Sequence, residues 1–159
     1  MGADTLQTAK ASLQVLSAFV KAVPVPEPFK SAVVGIPDAV LEIITIVETA
    51  KGNMEDAKVL ALYITTITDR TIRSLDLSHA THATQYRIHE FLGALGKISE
   101  DIKTIATNRP LRKWIINYDR DASTLSALKQ KVIDVITGIQ LETVVATGHE
   151  VELLYQEQQ

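Results

Sequence analysis

The stretch QYRIHEFLGALGKISEDIKTIA, residues 85–106, decides the fold. Ile88, Phe91, Leu95, Ile98, Ile102 and Ile105 recur at alternating steps of three and four. Charged side chains such as Arg87, Glu90, Lys97 and Lys103 fall between them. That spacing is the signature of an α-helix with one apolar face, because 3.6 residues make one turn; a half-buried strand would alternate every second residue.

Working outward from this helix, the same period appears in the rest of the chain. Upstream, residues 76–84 lose it in a run of Ser, His, Ala and Thr, which predicts a loop. Before that, Ala57, Leu60, Ile64 and Ile67 mark a helix over Met54–Leu75. Gly52-Asn53 reads as a helix-terminating glycine followed by a capping asparagine, and so predicts a tight helical hairpin. The helix before it spans Phe29–Lys51 and carries so wide an apolar arc (Val33, Ile36, Val40, Ile43, Val47 on one stripe; Val34, Leu41, Ile44, Ile46 beside it) that it must be central and buried. Gly35-Ile36-Pro37 predicts a kink or a restart within it. Pro24-Val25-Pro26-Glu27-Pro28 cannot continue a helix, since each proline lacks an N–H and pushes its predecessor out of the α region; it is a stiff connector. The first helix covers Asp4–Ala22, with Asp4 as N-cap and Leu6, Ala9, Leu13, Leu16 and Val20 in register.

Downstream, Asn108-Arg109-Pro110 ends the opening stretch and starts a short helix, Leu111–Asn117, holding the only tryptophan, Trp114. A final helix begins near Asp119 and, if unbroken to Tyr155, would be roughly 55 Å long. It carries two stripes, Leu125, Leu128, Val132, Val135 and Ile139, then Leu141, Val144, Gly148, Val151 and Tyr155, rotated about the axis. The expected architecture is therefore all-α: a four-helix bundle with a short connecting helix and a long C-terminal brace-like helix. The 159 residues make one domain, with 4–137 as bundle core and 139–157 as the brace.

Composition narrows the function. Apolar residues make up 46% of the chain but aromatic ones only 5%, which suits helix packing better than base stacking or sugar binding. There is no cysteine, which removes disulfides, thiolate zinc sites and a cysteine nucleophile, and favours a reducing compartment. A net charge of −3 gives no general attraction to nucleic acid. No signal peptide or spanning helix is expected, and Leu6 stands where a myristoylation motif needs Ser or Thr. No Glu-x-x-His pair supports a di-iron centre. His79, His82 and His89 supply too few well-placed ligands for zinc and read as solvated. No nucleophile elbow or phosphate-cradling glycine loop is present, so no catalytic residue, metal or cofactor is expected, and the chain reads as a non-enzyme.

Two features point to a membrane instead. Arg109, Arg112, Lys113 and Arg120 gather around Trp114 and Tyr118 against Asp119 alone. Cations beside an interfacial aromatic suit an anionic lipid surface. The plainer reading has Trp114 capping the bundle while the cations face water. The first helix, short of charge and tethered through the proline connector, would expose Leu6, Leu13, Leu16, Phe19 and Val20 to a bilayer or a partner groove if released; at rest it is a bundle member.

The apolar first helix, the Pro24–Pro28 connector, the buried run Val33–Val47, the turn Lys51-Gly52-Asn53-Met54-Glu55-Asp56 and the later stretch Phe91–Tyr118 with Leu111-Arg112-Lys113-Trp114-Ile115 resemble the four-helix-bundle domain of the mixed-lineage kinase domain-like pseudokinases. The fungal versions, relatives of the HeLo cell-death domains, are the nearest in pattern. The resemblance covers nearly the whole chain through helix order and loop pattern. It implies a cytosolic bundle that, triggered by a sensor or kinase-like domain following Gln159, forms homo-oligomers, engages anionic phospholipid at the plasma membrane and permeabilises it in a necroptosis-like response. It also implies that the segment after Gly138 acts as a brace. The competing expectation is a protein-protein interaction bundle with no lipid activity, using the acidic last helix with Glu142, Glu150, Glu152 and Glu157.

Overall fold

The computed structural model describes residues 2–50, 55–107 and 122–142. These residues form five α-helices and a 3-10 turn, with no strand among them: α1 (Gly2–Ala22), α2 (Phe29–Thr49), α3 (Glu55–Ser74), the turn Leu77–His79, α4 (His82–Thr107) and α5 over 122–142. The Gly52-Asn53 hairpin, the short helix at 111–117 and most of the brace segment fall outside the described residues.

α2 is the hub, as its apolar arc requires. It packs against α1, α3 and, most broadly, α4. Phe29, Val33, Ile36, Val40, Ile43, Ile44 and Val47 are all buried along it. Of the kink or restart expected at Gly35-Ile36-Pro37, the restart is absent, since the helix runs on through Pro37. A proline inside a helix costs about 3 kcal/mol through its missing N–H and its ring. Pro37 is itself buried, so apolar contact offsets that cost. The first turn of α2 is capped from outside: the Glu27 carboxylate accepts from the Ser31 N–H and hydroxyl, while Pro28 at the N-cap offers no side-chain bond.

α1 and α2 lie antiparallel, since Lys10 pairs with Glu48 at one end while Lys30 Nζ donates to the Lys21 and Val23 carbonyls at the other. α1 begins at Gly2, so Asp4 sits in its first turn rather than capping it. α3 buries Ala57, Leu60 and Ile64 as its stripe predicts, but then turns Thr65, Thr68, Thr71 and Ile72 inward and leaves Ile67 half-buried. The 77–79 turn pins Leu77 into the core. α4 starts three residues earlier than its periodicity, because Thr81 supplies the cap: its Oγ1 accepts from the Thr84 N–H at 3.1 Å. All six apolar positions of its stripe are buried.

α5 closes the bundle against α3 and α4. The Lys129 ammonium lies 5.0 Å over the Tyr63 ring, and Arg87 lies against Gly138 and 3.6 Å from Glu142. Leu125, Leu128, Val132, Val135 and Ile139 are buried. Ile139 is thus buried with the stripe to which its spacing assigns it.

Candidate functional surface

α1 is the element on which a membrane reading depends. Its sequence makes it helical through a complete apolar register, and that register is fully used: Leu13 and Leu16 are 0% exposed, with Leu6 and Val20 nearly so. Phe19 differs, being 39% exposed and lying on the flank of the helix. The five insertion candidates thus divide into four that face α2 and α3 and one that faces outward. Burying a Leu or Val side chain contributes about 1.5–3 kcal/mol, so the inward four hold α1 firmly at rest.

Between residues 5 and 20 the outer face of α1 carries no charge, and Lys21 is exposed in its last turn. Ala11, Gln14, Val15, Ala18 and Phe19 are exposed there, Val15 at 60%. The two long sides of the helix are gripped differently. On the α2 side the contacts are apolar and ionic, with Lys10–Glu48 and the Lys30 bonds at the C-terminal end. On the α3 side lies a groove of about 390 Å3 lined by Thr5, Thr8, Ser12, Leu62, Thr65, Thr66, Asp69 and Arg70. Beyond it, Arg73 stands 5.3 Å over the ring of Phe19. The hydroxyl-lined seam is a feature the apolar pattern did not reveal; the run Thr65-Thr66-Ile67-Thr68 was its only sequence sign.

The second candidate set, Arg109, Arg112, Lys113, Trp114 and Arg120, lies outside the described residues. Of the histidines, His79 Nδ1 meets the Asp76 carboxylate at 3.0 Å, while His82 and His89 are exposed. Among the described residues no group of three or more His, Asp or Glu side chains is placed to hold a metal ion, and no helix is long and apolar enough to cross a membrane. A smaller groove of about 200 Å3 runs between α3 and α5 beside Val59, Tyr63 and Lys129.

Compared with protein-family models, with curated proteins and with solved structures, the chain gives no match.

Proposed function

We propose that this chain is a membrane-directed, self-associating signalling domain of the cell-death or innate-immune type, which binds anionic phospholipid and permeabilises the membrane. The observation that carries this reading is the two-sided character of α1. Its inner face is apolar except for Ser17, its exposed positions between residues 5 and 20 are uncharged and half apolar, and its ionisable residues are Asp4, Lys10 and Lys21 alone. Hydrocarbon tails are about as apolar as a leucine core, so a bilayer would re-bury Leu6, Leu13, Leu16 and Val20 as well as the bundle does. Transfer of α1 from bundle to bilayer then turns on its polar grips and on chain entropy rather than on apolar burial. Since no described helix is of spanning type, α1 is proposed to lie in the headgroup plane with its apolar face down. The cations at 109–120 would supply attraction to the anionic leaflet, each about 1 kcal/mol close to the surface. A bundle of helices is also what the resemblance to the HeLo-like domains calls for, and in this reading the domain works in the cytosol until a linked sensor or kinase-like domain drives it to the plasma membrane.

The test is dye release from liposomes with and without anionic lipid. Leakage that needs anionic lipid, falls with salt and rises steeply with protein concentration is the expected result. Combined Arg112→Glu and Lys113→Glu should remove binding; unchanged binding would discard the assigned patch. No leakage and no co-sedimentation under any condition would favour the competing reading, a bundle that binds protein.

A further inference from the structure

Glycine inside an exposed stretch of helix costs about 1 kcal/mol relative to alanine, so each one calls for a reason. Two glycines of the bundle face a neighbouring side chain: a Cβ on Gly35 would stand at ordinary contact distance from Leu92, 3.4 Å, and one on Gly138 from Arg87, 3.6 Å. Gly93 and Gly96, midway along α4, face open space, where a Cβ at either would meet nothing within 4 Å. Both are exposed.

The surface around them is not blank. Residues at steps of three and four on the same face are Tyr86 and His89 before the glycines and Glu100 after them, and all are exposed, Tyr86 at 66%. Among the described residues neither the His89 ring nor the Glu100 carboxylate makes an ion pair within the chain. Lay a second α4 antiparallel across the first, with the crossing point midway between Gly93 and Gly96. Gly93 then faces Gly96 of the other copy, and four residues further out on each side His89 faces Glu100. The face is complementary to itself: an imidazole N–H donor meets a carboxylate twice, and the backbones approach where no side chain intervenes. This is the form a two-fold contact takes, with each residue of the patch meeting a different residue of the same patch.

We infer that the outward face of α4 is an antiparallel contact between two copies of this chain, centred on Gly93 and Gly96 and registered by His89 against Glu100. The inference rests on the self-association in the reading above and names its surface; it does not require lipid.

The experiment is sedimentation of the full chain over a range of concentrations, alone and recovered from liposomes. His89→Glu opposes two carboxylates, and Glu100→Lys removes the acceptor, so either should raise the dimer dissociation constant about tenfold or more. The combination of the two should restore it. Residues 89 and 100 are roughly 16 Å apart along one helix, too far to pair within a chain, so that rescue can come only from between copies. Gly93→Leu with Gly96→Leu should abolish the dimer while the melting temperature of the monomer holds or rises, which separates lost contact from lost folding. A dimer indifferent to all four variants overturns the α4 contact and leaves self-association standing on another surface. A chain monomeric at every concentration, on and off the membrane, overturns both.

Discussion

Arg73 on α3 stands over the ring of Phe19 on α1, its guanidinium carbon 5.3 Å from the ring centroid. The same guanidinium donates through Nε to Asp69 one turn earlier, at 3.0 Å, so the cation is already oriented when it meets the ring. This contact bridges the two helices on the side where apolar packing gives way to a hydroxyl-lined groove. Arg73→Ala should lower unfolding free energy by about 0.5–1 kcal/mol, as an exposed cation–π pair does. Asp69→Asn, which loosens only the orienting ion pair, should cost less, about 0.3–0.5 kcal/mol. Urea unfolding midpoints check both, and an unchanged midpoint for Arg73→Ala would show that the contact does not hold α1.

The depth at which α1 is held on its other face should be far greater. Leu13 and Leu16 have no exposed surface, and truncating such a residue to alanine removes its transfer energy and leaves a cavity. Leu13→Ala is expected to destabilise by about 2–5 kcal/mol, a large part of the stability of a domain this size. Val15→Ala, two positions away on the exposed face, should change stability by less than about 0.5 kcal/mol. Equal losses for the two would mean that α1 is not docked by this face.

Two substitutions should stabilise the protein. Thr68 and Thr71 are buried, and among the described residues their hydroxyls have no hydrogen-bond partner. A buried polar group left unpaired costs about 1–3 kcal/mol, so Thr68→Val and Thr71→Val should each raise stability, by about 1 kcal/mol, with the branched shape retained. Thr65→Val is the control, since the Thr65 hydroxyl already donates to the Ala61 carbonyl at 2.8 Å. A loss of stability at Thr68→Val comparable to that at Thr65→Val would mean that the Thr68 hydroxyl is satisfied in solution.

These threonines also mark where the sequence stopped being readable. Ile88 to Ile105, Leu125 to Ile139 and the arc of α2 were legible because aliphatic residues at helical spacing have one low-energy destination, the core. Threonine has two, since its methyl suits the core while its hydroxyl suits water or the carbonyl four residues back. The α3 stripe was therefore read through Ile67, whereas the helix turns Thr68 and Thr71 inward. At Pro37 local preference opposes a helix and predicts a kink or a restart, and burial in the central helix overrides the restart. Of the proposed site, the inward set on α1 and its shortage of charge were legible in the sequence, but the flank position of Phe19 and the open glycines of α4 became visible only once the helices were assembled.

The cap of α4 gives a local test of a boundary that periodicity misplaced. The Thr81 hydroxyl accepts the Thr84 N–H at 3.1 Å, and Gln85 Nε2 donates to the Ala80 carbonyl at 3.1 Å. Thr81→Ala should cost about 1 kcal/mol, and Thr81→Ser, which keeps the acceptor, much less. Thermal unfolding monitored by circular dichroism separates them; identical melting temperatures for the two variants would place the start of the helix elsewhere.

Lys30 offers the most direct link between the grip on α1 and the proposed activity. Its ammonium, on the first turn of α2, donates to the Lys21 carbonyl at 3.0 Å and the Val23 carbonyl at 3.1 Å, at the end of α1 where helix carbonyls lack partners and carry partial negative charge. Lys30→Met keeps the aliphatic stem and removes both bonds, and should cost about 1.5–3 kcal/mol, the range for hydrogen bonds to a charged group. The substitution touches neither the apolar stripe of α1 nor the cations at 109–120. If α1 is the element that enters lipid, loosening its C-terminal end should increase liposome leakage at a given protein concentration and speed amide exchange in α1 ahead of α4. If exchange in α1 quickens while leakage stays the same, α1 is released without serving the membrane, and lipid engagement must be sought elsewhere in the chain.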